Sequence, residues 1–259
     1  MNLLHSIILG IVEGLTEFLP ISSTAHLIIT SKIFGIQQTD FVKFFEVFIQ
    51  SGAILAVLVL YAQYVMKNKE VMRNIISSFI PTAVIGFVLY KVIKGVFFES
   101  YTLISIVLFG VGILFIVVEI LIKKKKIVQK KSIKHINDRT AFFIGLFQSL
   151  AVIPGVSRSG IIMVSMMALG YKRGEAAIYS FLLAVPTIGA ASLLDIFKMR
   201  NMLMSSLNLL PVLIVGFITS FIVAYIVMKW FIGYLQKNTL IPFGIYRIIL
   251  GILLFLTYR

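Results

Sequence analysis

The chain has 259 residues, 59% of them hydrophobic and only 13% charged, with a mean hydropathy of +1.03 and a net charge of +14. A soluble protein of this length could not hide so much apolar surface, so the chain reads as an integral membrane protein. Its 24 Lys and Arg flank apolar stretches, which excludes a nucleic-acid binder, and the lack of cysteine excludes disulfides, thiolate metal sites and cysteine nucleophiles.

Residues 1–5 lack the basic n-region and Ala-x-Ala-like site of a cleavable signal peptide, so none is expected. Residues 3–33 are apolar but broken by Pro20 and by Glu13, Glu17, Ser22, Ser23, Thr24 and His26. Each half is too short or too polar to cross alone, which predicts a re-entrant helix pair surrounded by protein or a water-filled cavity. Spans are predicted at 44–66, 74–95 and 102–122. A basic loop at 123–139 follows, with Lys123, Lys124, Lys125, Lys126, Lys130, Lys131, Lys134 and Arg139. That is the positive-inside pattern, and it also suits anionic lipid. Residues 140–170 are broken by Pro154 and Gly155-Val156-Ser157-Arg158-Ser159-Gly160, which predicts a second re-entrant pair. Spans at 178–197, 209–228 and 241–258 complete the chain.

The two broken regions resemble each other. Gly10, Glu13 and Leu15 align with Gly145, Gln148 and Leu150, then Pro20 with Pro154 across one gap, and Ser22–Ala25 with Ser157–Gly160. Gly52-Ala53 matches Gly189-Ala190. The expected fold is therefore an all-α polytopic membrane protein, 1–259, in one domain. It is built as an inverted-topology repeat (1–122 and 140–259), with about six transmembrane helices and two re-entrant pairs. Three spans per half invert the second copy, as in inverted-repeat transporters. One side receives Lys67, Lys69, Arg73, the 123–139 run, Lys172, Arg173, Lys229 and Lys237, fifteen of the 24 Lys and Arg. The other keeps Lys91, Lys94, Lys198, Arg200, Arg259 and a few near the breaks. The first side is expected to be cytoplasmic, with both termini outside and the broken ends meeting near the midplane.

A carboxylate at hydrocarbon depth costs at least ~2.5 kcal/mol, so an intramembrane acid is a functional candidate. Glu13 and Glu17 lie one helical turn apart on one face and repel unless a proton or cation neutralises one. A hard divalent ion would do so, and Mg²⁺ binds through one or two carboxylates plus substrate phosphates; a protonated pair or proton relay is the alternative. After Pro20 a new helix should open near Ser22–Thr24, with N–H groups that cradle an anion or are capped by those hydroxyls. His26, three residues after Ser23, allows a Ser–His pair. Arg158 needs an anionic partner at membrane depth, either a phosphate or a glutamate across the repeat interface. Gly155 and Gly160 let backbone approach a ligand. Together these residues suggest phosphate-ester or diphosphate chemistry on a lipid. Glu46 and Gln50 are weaker candidates for the same cavity. Glu119 is expected to snorkel toward the cytoplasmic lysines, and Asp195 to lie near an interface.

At Glu13-Gly-Leu-Thr-Glu17-Phe-Leu-Pro20-x-Ser-Ser-Thr-x-His26 and Pro154-Gly-x-Ser-Arg-Ser-Gly160 the chain resembles the undecaprenyl-diphosphate phosphatases, also called bacitracin-resistance proteins. Phe45-Glu46-Val47, Ile49-Gln50-x-Gly52 and Phe181–Pro186 also look like family segments, so the likeness spans the chain. It implies hydrolysis of undecaprenyl diphosphate to the monophosphate, recycling the lipid carrier of peptidoglycan synthesis. It also implies a divalent cation, Mg²⁺ or Ca²⁺, and a site open to the outer face of the bacterial plasma membrane. By the resemblance, Glu13 and Glu17 bind metal, or one activates water. Ser23 with His26 is the candidate nucleophile, a water activated by His26 or Glu17 remaining open. Arg158 clamps the diphosphate, and Ser22, Thr24, Gly155, Ser157, Ser159 and Gly160 surround it. The family's second motif continues Gly-Ala-Thr where this chain has Gly160-Ile161-Ile162, so any phosphate contact from that threonine is absent or falls to Ser159 or Ser165. The expected partners are the polyprenyl diphosphate and membrane lipids, with a homodimer compatible. The alternative is a polyprenyl-phosphate flippase or secondary transporter using the same midplane site.

Overall fold

Ten α-helices form among the residues described by the computed structural model, 1–92, 100–205 and 209–257. They are α1 (Leu3–Thr16), α2 (Ser23–Ile33), α3 (Asp40–Lys67), α4 (Lys69–Val92), α5 (Tyr101–Lys123), α6 (Asp138–Ser149), α7 (Arg158–Ala168), α8 (Arg173–Ser205), α9 (Leu210–Lys237) and α10 (Ile241–Thr257). Side-chain caps start several of them by accepting an orphan N–H: Asn2 from His5, Thr39 from Val42, Ser100 from Leu103 and Asn137 from Thr140. No strand occurs among the described residues beyond an isolated bridge between Lys131 and Tyr171.

The chain is an all-α polytopic membrane protein. Helices α3, α4, α5, α8 and α9 are long and apolar enough to cross a bilayer. The sixth expected span is shorter: α10 has 17 residues, about 25 Å of helix. Lys94 and Arg259, counted above on the outer side, lie outside the described residues, as do residues 93–95 and 258 of two predicted spans.

The helices follow a similar order twice: two short and three long in α1–α5, then two short, two long and the 17-residue α10 in α6–α10. Helix α1 lies along α9 and α6 along α4, while α3 packs on α8 and α5 on α10. Glycines permit the closest approaches. A Cβ at Gly14 would lie 2.8 Å from the Ser220 carbonyl oxygen of α9, and one at Gly145 would collide with the Ser78 carbonyl of α4. Helix α7 sits at the centre, with Ser159 through Met167 all buried. Ile162, Met163 and Met166 pack there in one core with Phe18, Phe115, Phe181 and Phe231. A short helix buried all round is shielded by protein rather than by lipid.

Glu119 departs from expectation. Instead of snorkelling it is 1% exposed, takes a two-pronged contact from Arg173 at the start of α8, and accepts from the Leu240 N–H at 2.8 Å. Desolvation explains the difference, because a buried carboxylate needs every lone pair answered, and a guanidinium fork plus one amide does that. The basic loop is also held. Glu175 Oε2 accepts from the Ile133 N–H at 3.0 Å, and Asn74 donates to the Ile136 carbonyl at 2.8 Å, leaving the lysines exposed.

Candidate active site

The two helix breaks share an uncommon backbone feature. Ser22, just before α2, has φ 74° and ψ 91°, and Ser157, just before α7, has φ 68° and ψ 112°. Non-glycine residues rarely adopt positive φ, and each such residue costs about 1–3 kcal/mol unless its surroundings impose it. The two serines are aligned partners in the internal similarity. Gly155 (φ 95°) supplies the remaining bend, where a Cβ would stand 3.0 Å from the Ile104 carbonyl oxygen. Ser157 caps α7 by accepting from the Gly160 N–H at 3.2 Å, whereas the Ser22 side chain makes no cap bond.

Between the breaks lies a cavity of about 210 Å³. Glu17, Ser22, Ser23, Thr24, Gly155, Ser157 and Arg158 line it, together with Gln50, Thr82, Gln148 and Thr187. Glu17 ties the two motifs together. Its Oε1 accepts from Arg158 Nη2 at 2.7 Å and its Oε2 accepts from the Ser23 hydroxyl at 2.5 Å. The ion pair is nearly closed off, with side chains 7% and 10% exposed, while Arg158 Nη1 is buried and unpartnered. A guanidinium nitrogen without a partner, beside the first turns of two helices, has the chemistry to take an anion.

The neutral polar groups of the lining are tied to one another. Gln148 Nε2 donates to Thr82 Oγ1 at 2.8 Å and to Thr187 Oγ1 at 3.1 Å. Both threonine hydroxyls have already given their protons to backbone carbonyls, Thr82 to Gly145 at 2.9 Å and Thr187 to Leu183 at 2.7 Å. They can only accept from Gln148, so the amide orientation is fixed. The Gln148 carbonyl oxygen is left buried and unpartnered.

Several expected residues stand off the cavity. Glu13 is fully buried beside Glu17, and neither of its oxygens meets a hydrogen-bond donor among the described residues. Ser159 donates to the Leu19 carbonyl at 3.1 Å, and Gly160 packs under the Phe115 ring. Ile162 is wholly in the core and Ser165 donates to its carbonyl, so neither serine proposed to replace the family threonine lines the cavity. Of the weaker pair, Gln50 reaches the cavity, while Glu46 accepts from Ser31 and Gln38. His26 does not pair with Ser23. Its Nδ1 lies 2.7 Å from the Ser22 carbonyl oxygen, which can only accept, so Nδ1 carries the proton. In the neutral ring Nε2 then accepts from the Tyr246 hydroxyl at 2.6 Å.

Tyr246 and Arg247 were absent from the sequence-based set, although a charge in the middle of an apolar span was itself a signal. Thr82 and Thr187 gave no such signal, being ordinary helix residues until Gln148 reaches them. Around the repeated order of breaks and spans, then, stands a polytopic helical membrane protein with an arginine–glutamate–serine site inside it. The chain belongs to the family of the bacitracin resistance protein BacA, whose family model matches residues 6–253. Similar relatives include the undecaprenyl-diphosphatase of Persephonella marina, 50% identical over 99% of both chains. That of Sulfurihydrogenibium sp. is 49% identical over 100% of both, and that of Aquifex aeolicus 47% over 96% of this chain and 95% of its own.

Proposed function

We propose that the chain is an undecaprenyl-diphosphatase, hydrolysing undecaprenyl diphosphate to the monophosphate and phosphate. The observation that carries this reading is the bridging carboxylate: Glu17 holds the Ser23 hydroxyl with one oxygen and Arg158 with the other. In the proposed reaction the terminal phosphate enters the cavity and takes the free Arg158 nitrogen. Ser23 Oγ attacks its phosphorus as Glu17 accepts the hydroxyl proton, and the bond to the bridging oxygen breaks. The lipid monophosphate departs and water then cleaves the phosphoserine, returning the proton. The Ser23 hydrogen bond to Glu17 supports Glu17, rather than His26, as the proposed base. His26 and Tyr246 hold the Ser22 carbonyl and with it the start of α2.

A divalent cation, Mg²⁺ or Ca²⁺, belongs to the proposal. Glu13 fits it, because two buried carboxylate oxygens without a partner call for a cation or a proton. No group of three His, Asp or Glu that could hold a metal forms among the described residues, so Glu13 and Glu17 would share the ion with substrate oxygens. When bound, it neutralises diphosphate charge.

The charge pattern supports a bacterial plasma-membrane placement with the 123–139 loop cytoplasmic, both termini outside and the cavity open outward. The matched breaks support two inverted repeats, 1–122 and 140–259, with re-entrant pairs. Activity there would recycle the lipid carrier for peptidoglycan synthesis and confer bacitracin resistance. The flippase alternative is not favoured, since the named relatives are diphosphatases. Purified protein should release phosphate from undecaprenyl diphosphate with Mg²⁺ or Ca²⁺ and stop with chelator. Lipid translocation in liposomes without phosphate release would overturn the reading.

A further inference from the structure

Arg247 lies midway along α10, is a large side chain 0% exposed, and forms no ion pair with a carboxylate among the described residues. Its Nη1 donates to the Pro20 carbonyl at 3.1 Å, and its Nη2 donates to the Gly155 carbonyl at 2.5 Å and the Val156 carbonyl at 3.2 Å. Pro20 belongs to the first break and Gly155 and Val156 to the second. One guanidinium therefore answers backbone oxygens that both breaks set free from helical pairing. Beneath it the Phe115 ring of α5 lies 5.4 Å from the guanidinium carbon, giving the charge a second favourable face.

The packing of α5 against α10 sets this up. Gly112 and Gly244 meet back to back, a Cβ on either lying within 3 Å of the other's carbonyl oxygen (2.7 and 2.9 Å). Phe115 and Arg247 each follow three residues later, on the same helical face as their glycine. Arg247 does not line the cavity. The breaks are otherwise joined by Glu17 with Arg158 and by Ser159 with Leu19, contacts made by the motifs themselves.

We infer that Arg247 is a positioning residue for the phosphatase site: a clamp from outside both motifs that fixes the α2 and α7 starts relative to each other, and so Ser23 relative to Arg158. This rests on the proposed phosphatase reading for its kinetic consequence but not for its structural one. A misplacement of ~1 Å at a reacting centre costs about 10²-fold in rate. An ammonium keeps the charge of Arg247 but lacks the planar fork that reaches two turns at once.

The test uses full-length protein in detergent, which has no native cysteine to interfere with labelling. Nitroxide labels go on Ile33→Cys, at the end of α2 and 71% exposed, and on Leu169→Cys, just after α7 and 38% exposed. Pulsed electron-electron distance measurements should give one narrow distribution with Arg247, a broader one with Arg247→Lys and the broadest with Arg247→Met. In unlabelled protein kcat on undecaprenyl diphosphate should fall in the same order, by about 10²-fold for Arg247→Met, with KM changed less than about threefold. A narrow distribution in both variants overturns the clamp, as does full rescue of kcat by lysine, which would mean that charge alone matters. Should Arg247→Met not fold, Arg247→Lys carries both readouts: a broadened distribution with reduced kcat supports the clamp, and a narrow distribution or full kcat overturns it. If the phosphatase reading itself fails, no variant turns over substrate, yet the distance distributions still decide the clamp.

Discussion

Glu17 and Arg158, 141 positions apart in sequence, meet at 2.7 Å, and the other Glu17 oxygen holds the Ser23 hydroxyl. A single carboxylate thus couples the charge proposed to bind the anion to the proposed nucleophile. In that mechanism, substrate arriving at Arg158 would compete with Glu17 for the guanidinium and leave the carboxylate freer to take the Ser23 proton.

Glu17→Gln keeps the size and hydrogen-bonding reach of the side chain but removes the base. kcat should fall about 10²- to 10⁴-fold, the range for loss of a general base. Phosphate release from undecaprenyl diphosphate measures it, and near-normal turnover would remove Glu17 from the proposed mechanism.

Ser23 as nucleophile predicts a covalent intermediate. Acid quenching wild-type protein during turnover of substrate labelled in its terminal phosphate should trap label on the chain, and Ser23→Ala should trap none. Labelled Ser23→Ala protein would transfer the attack to another group.

Arg158→Lys preserves a positive charge against Glu17 but not the forked geometry. KM for the diphosphate should rise roughly tenfold, the equivalent of one charge-assisted hydrogen bond. Initial-rate kinetics across substrate concentration separate this from a pure kcat effect.

Glu119→Ala leaves Arg173 without its carboxylate and the Leu240 N–H without its acceptor. Removing one partner of a buried pair typically costs about 3–5 kcal/mol. The variant's Tm in detergent should drop clearly, while the fraction that remains folded keeps its kcat, since this cluster lies away from the cavity.

Much of this architecture was legible in the sequence because hydropathy and broken helices leave local marks. The breaks at Pro20 and Pro154 and five of the long helices fall where residue pattern placed them, and Glu17, Ser23 and Arg158, singled out by that pattern, line one cavity. What escaped depends on rotation and reach. The three-residue spacing of Ser23 and His26 puts them on neighbouring faces, but Ser22 enters α2 with positive φ and His26 turns to its carbonyl and to Tyr246 instead. Glu119 sits close to four lysines in sequence, yet Arg173 reaches it from another helix and no local rule foretells that. Arg247 was visible as a charge in an apolar span, but its partners are backbone oxygens, which carry no residue signature.

The fixed amide of Gln148 bears on what this cavity can hold. With the Thr82 and Thr187 protons committed to Gly145 and Leu183, and the Gln148 amide protons committed to the two threonines, none of these three side chains has a proton left to offer the cavity. A phosphate held at Arg158 would meet no free donor from them. Polarity of a lining is thus not the same as affinity for anions: among the described residues that line this cavity, Arg158 alone is cationic.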